Sequence, residues 1–367
     1  MAELGNTVER FRRYAECASE SHNEKSFCEC IEKDFEKMGI PFTRQYLGDN
    51  VVTNGWNIMA RIPGKKTQPF LIVLHLDTLA PSSHVKTCIK DGKIQSDGNS
   101  VLGADGKLAI AVILETISYR LAHGGLNRSI ELLFTVGQEL GLHGAKNADY
   151  TQIESTEAIV PDHYVTGEVL LKTPARHFIH VELLGREAHV IRNEEPGINA
   201  LTAAAELIHL LPSGKIGENL SVNLFDLISL SASNAVPKYA RFDIEVRSFG
   251  EKTWEQIYRQ ILDAVRKTEI KTGVECKLEL ENDVTEADFL QNTDLFDRLR
   301  EIYRRSGIMM KEVNSFGLMD ASCTNQIGIR TVPIGFSIYH SHSTREYVKV
   351  EEIEKMLILS DNLLQYF

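Results

Sequence analysis

Five positions in this sequence carry residue types that can hold a metal. His75 and Asp77 close the apolar run "FLIVLHLDT". In an extended chain residues i and i+2 share a face, so both can point into one site. A metal-bound imidazole usually has a carboxylate beside it to orient the ring, although strand-end His and Asp also serve as plain polar caps. Asp105 stands in "SVLGADGKLAI" before a helix-like run. It reads either as a helix N-cap or as part of a ligand loop, with Gly103 and Gly106 giving the backbone freedom. Glu139 follows the run "SIELLFTV", Asp162 lies in "IVPDHYVTG", and His342 lies in "IYHSHSTREYV", where His340 competes with it. Singly, each is an ordinary surface residue. Together they give His, Asp, Asp, Glu and His at separate strand ends, a ligand set for two hard-to-borderline cations. In "FTVGQELGLHGAKN" the residue before Glu139 is Gln138. Two adjacent acids there would read as a base beside a ligand, but an amide has no useful basicity.

The elements that must position these residues follow from the apolar pattern. Residues 6–38 read as an opening helix broken at Ser21-His22-Asn23 and stopped by Gly39, with Pro41 after it. "NIMARIP" and "FLIVLHLDT" read as strands, the second apolar enough to be covered on both faces. "KLAIAVILETISYRLAHGG" has helix length, and "SIELLFTV" is another buried strand. This alternation implies an α/β layered domain. Near Lys172 the texture changes. "HFIHVELLGREAHV" alternates as a half-exposed antiparallel strand. A helix ("GINALTAAAELIHLL"), two strands ("NLSVNLFDLISLS", "YARFDIEVRSFG"), a helix ("TWEQIYRQILDAVRKTEIKTG") and a strand ("VECKLELEND") follow. The order β-α-β-β-α-β fits a two-layer insert of about 110 residues. A helix ("NTDLFDRLREIYRRSGI"), a buried strand ("TVPIGFS") and a closing helix ("VEEIEKMLILSDNLLQYF") complete the chain. Residues 1–172 and 283–367 are therefore expected to form one α/β domain, interrupted by a second domain at 173–282.

Bulk properties exclude several classes. The 367 residues suffice for two cores, and 43% hydrophobic content is ordinary for a soluble globular protein. A net charge of −11 without a Lys/Arg cluster argues against nucleic acid or an anionic membrane as partner. No apolar run approaches membrane-spanning length, and the charged opening segment lacks a secretory h-region. The six cysteines (17, 28, 30, 88, 276, 323) show no zinc-thiolate spacing. Free thiols in a reducing cytoplasm are expected.

The segments "HLDT", "LGADGKLAIAV", "FTVGQELGLHGAKN", "GREAHV", "NAVPKYARFDIEVRS" and "HSTREYV" occur in one characteristic order and span nearly the whole chain. In this the sequence resembles the dinuclear-zinc metallopeptidase family of peptidase T (tripeptide aminopeptidase), aminoacylase and glutamate carboxypeptidase, and within it the peptidase T-like branch. The resemblance implies an α/β layered catalytic domain interrupted by a two-layer α+β lid that also dimerises. It implies two Zn2+ ions, replaceable in vitro by Co2+ or Mn2+. His75 and Asp162 would bind the first ion, Glu139 and His342 the second, with Asp105 bridging and Asp77 orienting His75. "VPDHY" departs from the family's usual Asp-Gly context. Relatives hold the bond after the bridging Asp in the cis form, so a cis Asp105–Gly106 peptide is expected.

The same resemblance places Gln138 where the family has its general-base glutamate, so the chain is expected to be catalytically impaired. A register that makes Glu139 the base would put Leu140 at a ligand position and misplace Gly141. His189, Asn234, Arg247 and Gly317 match substrate-binding positions, with His189 reaching a neighbouring subunit's site in dimeric relatives. A guanidinium suits a peptide carboxylate. "AHVIRNEEPG" and "SFGLMDAS" depart from the family pattern, the latter keeping Gly317, Asp320 and Ala321. The implied function is an aminopeptidase on short peptides, working as a homodimer through the lid with helix 197–211 and an edge strand in contact. The alternatives are an amidohydrolase on N-acyl amino acids and a non-catalytic peptide-binding homologue.

Overall fold

Strands with both faces apolar need helices on both sides, and the first unit is built that way. A computed structural model describes residues 2–191 and 194–367. Arg192 and Asn193, in the divergent stretch after His189, lie outside the described residues. The chain divides into two compact units. The first comprises Met1–Lys172, Asp288–Asn314 and Met319–Phe367; the second comprises Thr173–Ala287 and Ser315–Leu318.

In the first unit the described residues form a nine-stranded sheet. At its centre lie four strands, in the order Leu126–Thr135, Gly64–His75, Glu157–His163 and Arg330–Gly335. These four run parallel to one another, so their carboxyl ends open on one edge of the sheet. Phe70 to Leu74 and Ile130 to Phe134 are buried throughout, as parallel strands under helices must be. The helix Ala104–Ala122 is buried on every side from Ala104 to Leu114 and packs on the helices Leu4–Ala15 and Val350–Tyr366. The opening helix is two helices, Leu4–Ala15 and Lys25–Met38. Phe27, Ile31 and Phe35 recur at helical spacing on the buried face of the second. Gly39 ends it in the left-handed conformation that glycine adopts without penalty (φ 66°).

In the second unit five antiparallel strands lie in the order Gly214–Ile216, Leu220–Ile228, Tyr239–Ser248, Ala175–Leu184 and Glu275–Val284. Ala175–Leu184 pairs on both sides. Its Ile179, Val181 and Leu183 turn inward, where they meet Ala203, Ala204 and Leu207 of one helix and Ile257 and Ile261 of the other. The polar residues between them face outward. The unit runs past residue 282 because its last strand continues through a bulge between Asn282 and Val284. Ser315–Leu318 joins it because Phe316 packs edge-on against Phe249, at 5.1 Å between centroids, and its carbonyl accepts from Arg247 Nη1 at 2.9 Å. Among the described residues no helix is long and apolar enough to cross a membrane.

Candidate metal centre

The parallel strands explain why residues far apart in sequence meet. His75 ends one strand in register with Thr135, which ends its neighbour. Gln138 and Glu139 follow Thr135 directly. Asp162 lies near the end of the next strand, Glu157–His163, and His342 lies in the loop after Arg330–Gly335. Crevices beyond the carboxyl ends of such strands are the usual ligand sites of α/β sheets.

The side chains form two groups that share Asp105. His75 Nε2 lies 3.3 Å from both Asp105 Oδ1 and Asp162 Oδ1. His342 Nε2 lies 2.9 Å from Asp105 Oδ2 and 3.2 Å from Glu139 Oε2. The shared carboxylate thus turns one oxygen to each group. Ligand atoms on a tetrahedral zinc, with bonds of ~2.0–2.1 Å, stand ~3.3 Å apart, so the donor set and its spacing fit such ions. Among the described residues the buried Glu139 Oε1 lacks a hydrogen-bond partner. His340 is exposed and lies outside both groups. Leu140 is 47% exposed, so the alternative register would put an outward-facing side chain at a ligand position.

Two expectations for the bridging loop are corrected. Among the described residues the cis peptide is Ala80–Pro81, so Asp105–Gly106 is not cis. The turn is made instead by Gly106 at φ 62° after Asp105 at ψ 115°. A Cβ at 106 would stand 2.5 Å from the His75 carbonyl oxygen and 2.8 Å from His75 Nε2, so only glycine fits. Nor is Asp105 an N-cap, since that place is taken by Gly103.

The electrostatics show what the cluster lacks. Asp105, Glu139 and Asp162 pair with the imidazoles of His75 and His342. Burial, then Asp105, pushes the Glu139 carboxyl up to about 7. Burial also raises Asp162. Hydrogen bonds to Asp105 and Glu139 hold His342 up at about 10. Burial disfavours charge on His75, yet Asp162 and Asp105 raise it well above its ordinary value. For Asp105 burial is outweighed by His342 and His75, and its carboxyl is held low. The protein on its own thus gathers protons where cations would satisfy the same oxygens.

Asp77 is fully buried. It accepts from Gln138 N at 2.9 Å, Glu139 N at 3.1 Å and Ser21 Oγ at 2.7 Å, and lies 3.4 Å from His75 Nδ1. Gln138 Nε2 donates to Asp162 Oδ2 at 2.9 Å. Several contributors escaped sequence reasoning. Glu346 accepts from the amides of Gly103, Ala104 and Asp105 at 2.7, 3.4 and 3.3 Å, which fixes the bridging loop. It lies in the same "HSTREYV" segment as His342, which was its only signal. Burial, then Asp105, pushes its carboxyl up to about 7. Tyr164 Oη stands 3.4 Å from His342 Nε2. His342 itself has φ 62°, a conformation that costs a non-glycine residue ~1–3 kcal/mol and tends to persist at functional sites.

The substrate candidates all belong to the second unit, in two neighbourhoods. His189 bridges to Ala235, and Val190 N donates to Asn234 O at 3.0 Å, so His189 and Asn234 lie on adjacent segments. Arg247 pairs with Glu245 at 2.8 Å and holds Phe316 O, next to Gly317.

A sheet with imidazoles and carboxylates converging at its carboxyl edge, interrupted by an α+β insert, defines a metallohydrolase of the peptidase class. Residues 177–272 match the description "Peptidase dimerisation domain", and residues 57–170 match "Peptidase family M28". Over 350 residues the chain is 24% identical to the protein YqjE of Bacillus subtilis, covering 95% of this chain and 94% of that one. The aminopeptidase PepT of Bacillus cereus is 25% identical with a TM-score of 0.85, covering 99% of this chain and 98% of that one. A tripeptidase of Staphylococcus aureus shares the fold with a TM-score of 0.91 at 22% identity, covering 100% and 98%. These matches support the metallopeptidase family that includes peptidase T.

Proposed function

We propose that this protein is a zinc-dependent exopeptidase scaffold of the peptidase T kind, built for short peptides and slowed by Gln138 at the general-base position. The convergence of two histidine–carboxylate groups on the shared Asp105 carries this reading. His75, Asp105 and Asp162 would hold one Zn2+, and Asp105, Glu139 and His342 the other. When bound, the two ions supply Lewis-acid polarisation of the scissile carbonyl and acidify the attacking water. Asp77 orients His75 and, by accepting the amides of Gln138 and Glu139, fixes the loop that carries the base position. The Gln138 amide donates to Asp162 but cannot take up a proton, so the transfer that a glutamate would perform is missing. His189, Asn234, Arg247 and Gly317 are the candidate substrate contacts. PepT and tripeptidase, among the structural relatives, support peptides over N-acyl amino acids.

This reading takes the protein as a cytoplasmic homodimer joined through the second unit. The match to a peptidase dimerisation domain supports the dimer, and free cysteines suit a reducing compartment. Calorimetric zinc titration tests the metal assignment. Two ions per chain are expected, with one lost in His342→Ala. A native chain that binds none, or a His342→Ala variant that keeps both, overturns it.

A further inference from the structure

Away from the metal centre, two cysteines line one recess where the first helix ends. Arg13 Nη1 donates to Cys30 Sγ at 3.3 Å, and Cys17 Sγ donates to the Ser26 carbonyl at 3.4 Å. Ser26 stands one turn before Cys30 on the helix Lys25–Met38, so Cys17 Sγ lies against the turn that carries Cys30. Both are half-buried and line a surface recess of about 500 Å³ together with Arg12, Arg13, Glu16 and Lys33. By contrast Cys28 and Cys323 are buried, and Cys28 Sγ turns inward to the Trp56 carbonyl at 3.4 Å.

The segment that starts at Cys17 leads into the metal centre. The Cys17 carbonyl accepts from Lys107 Nζ at 2.7 Å, and Lys107 is fully buried two residues beyond Asp105. Thr78 N donates to Ser19 O at 2.9 Å and Ser21 N to Thr78 O at 3.1 Å. Ser21 Oγ then donates to Asp77. A displacement of Cys17 therefore pulls on a run of hydrogen bonds that ends on Asp77.

We propose that Cys17 and Cys30 form an oxidation site at which a hydroperoxide converts the two thiols to a disulfide, and that closing this bond loosens the metal centre through Ser21 and Asp77. The Cys17 sulfur attacks the outer peroxide oxygen, the O–O bond breaks, and the alcohol or water departs with the thiol proton. Cys17 is left as a sulfenic acid. The Cys30 sulfur then attacks the Cys17 sulfur, the S–O bond breaks, and water leaves with the Cys30 proton. One peroxide is reduced by two electrons and two thiols are oxidised by two. The local charges favour this order. The Cys30 thiol, with Lys107 and Arg13 behind it, brings Cys17 down to about 7, below the ~8.5 of a free thiol, while Cys30 is held up as the proton donor.

The metal consequence rests on the proposed function; the disulfide does not. The zinc-loaded full chain is treated with one equivalent of hydrogen peroxide, its free thiols are counted, and its peptides are mapped by mass spectrometry. Two of the six thiols should disappear into one peptide linking residues 17 and 30. Cys30→Ser should stop at a sulfenic acid on Cys17 trapped by dimedone, and Cys17→Ser should keep its Cys30 thiol. A linkage through other cysteines, or equal oxidation of all six, overturns the site. In chelator competition the oxidised protein should hold zinc ~10-fold more weakly, the scale of losing an outer partner of a ligand. Equal affinity overturns the transmission. If even the reduced protein binds no zinc, the metal reading falls and takes the transmission with it, while the linked peptide still decides the thiol half.

Discussion

Gln138→Glu is the perturbation that most directly tests how this site works. The native side chain is 8% exposed, and its amide donates to Asp162 Oδ2 at 2.9 Å. The variant replaces a donor with an acceptor, which brings two buried carboxyl groups to hydrogen-bond distance. They cannot both be charged without a cation, so one must hold a proton. In metal-free protein the lost bond and the like charge should cost ~1–3 kcal/mol of stability. With zinc bound, Asp162 is neutralised and that cost shrinks. The same crowding lifts the new carboxyl toward neutral pH, where a general base works best. A positioned base is worth ~10²–10⁴-fold in rate, or ~3–5 kcal/mol of barrier. The assay is steady-state hydrolysis of di- and tripeptides and N-acyl amino acids with zinc, paired with thermal melts with and without chelator. The turnover number should rise ~10²-fold or more with a modest change in KM, as for a group acting mainly in the transition state. The chelated variant should melt below the chelated native chain, and zinc should narrow the gap. A native chain that is already a rapid peptidase, with a Glu variant no faster, would show that Gln138 is not at the base position. Peptide binding without turnover in both forms would favour the peptide-binding homologue.

Three further outcomes are expected. Asp77→Asn should weaken zinc ~10–100-fold in chelator competition, because one amide oxygen cannot replace a carboxylate that steadies His75 and accepts three donors; unchanged affinity would remove Asp77 from the centre. Asp320, whose carboxyl burial pushes up to about 7, contributes stability that is complete below the ordinary carboxylate pKa near ~4 and lost as pH rises through 7. Asp320→Asn should therefore stabilise zinc-free protein above pH 7 by at most ~4 kcal/mol, and the gain should vanish toward pH ~4 in pH-dependent denaturation; a pH-independent difference would contradict this. Leu230, 88% exposed beyond the strand Leu220–Ile228, lies near the exposed Leu227 and Ile228, so Leu230→Glu should shift a native dimer toward monomer in sedimentation velocity, and a monomeric native chain would sink the dimer reading.

Residues read as chemistry were those whose type is informative at the end of an apolar run. "FLIVLHLDT" announced a buried strand with an imidazole at its end, and His75 does end that strand. Most of the second unit was equally legible, because its longer strands alternate with period 2 and its helices are long. The three-residue strand Gly214–Ile216, which makes the order β-α-β-β-β-α-β, was not. What could not be read was any relation that exists only after folding. Glu346 looks like one more charged residue before a helix, yet it caps the bridging loop from 241 residues away. Ser21 sat in what read as a helix break. The short strands Thr87–Lys90, Lys93–Ser96 and Tyr347–Lys349 are too brief for a period to show. The cis bond at Asp105 was carried over from relatives, and here the dihedrals of Gly106 make the turn.

The arrangement around Asp77 suggests why an amide at 138 can be tolerated without dismantling the site. Asp77 grips the 138–139 loop through its main-chain amides, which any side chain at 138 leaves intact. The main chain of Glu139 is thus positioned independently of its neighbour's chemistry. The Gln138 side chain, by donating to Asp162, satisfies one oxygen of a carboxylate whose other oxygen faces His75. A glutamate there would need a proton or a cation to sit as comfortably. Under the proposed function, an amide at 138 would separate two properties that a carboxylate joins: the centre could be assembled and loaded while proton transfer is withheld. Residues that only hold the metals should leave zinc stoichiometry sensitive to mutation, whereas position 138 should leave it intact and move only the turnover number.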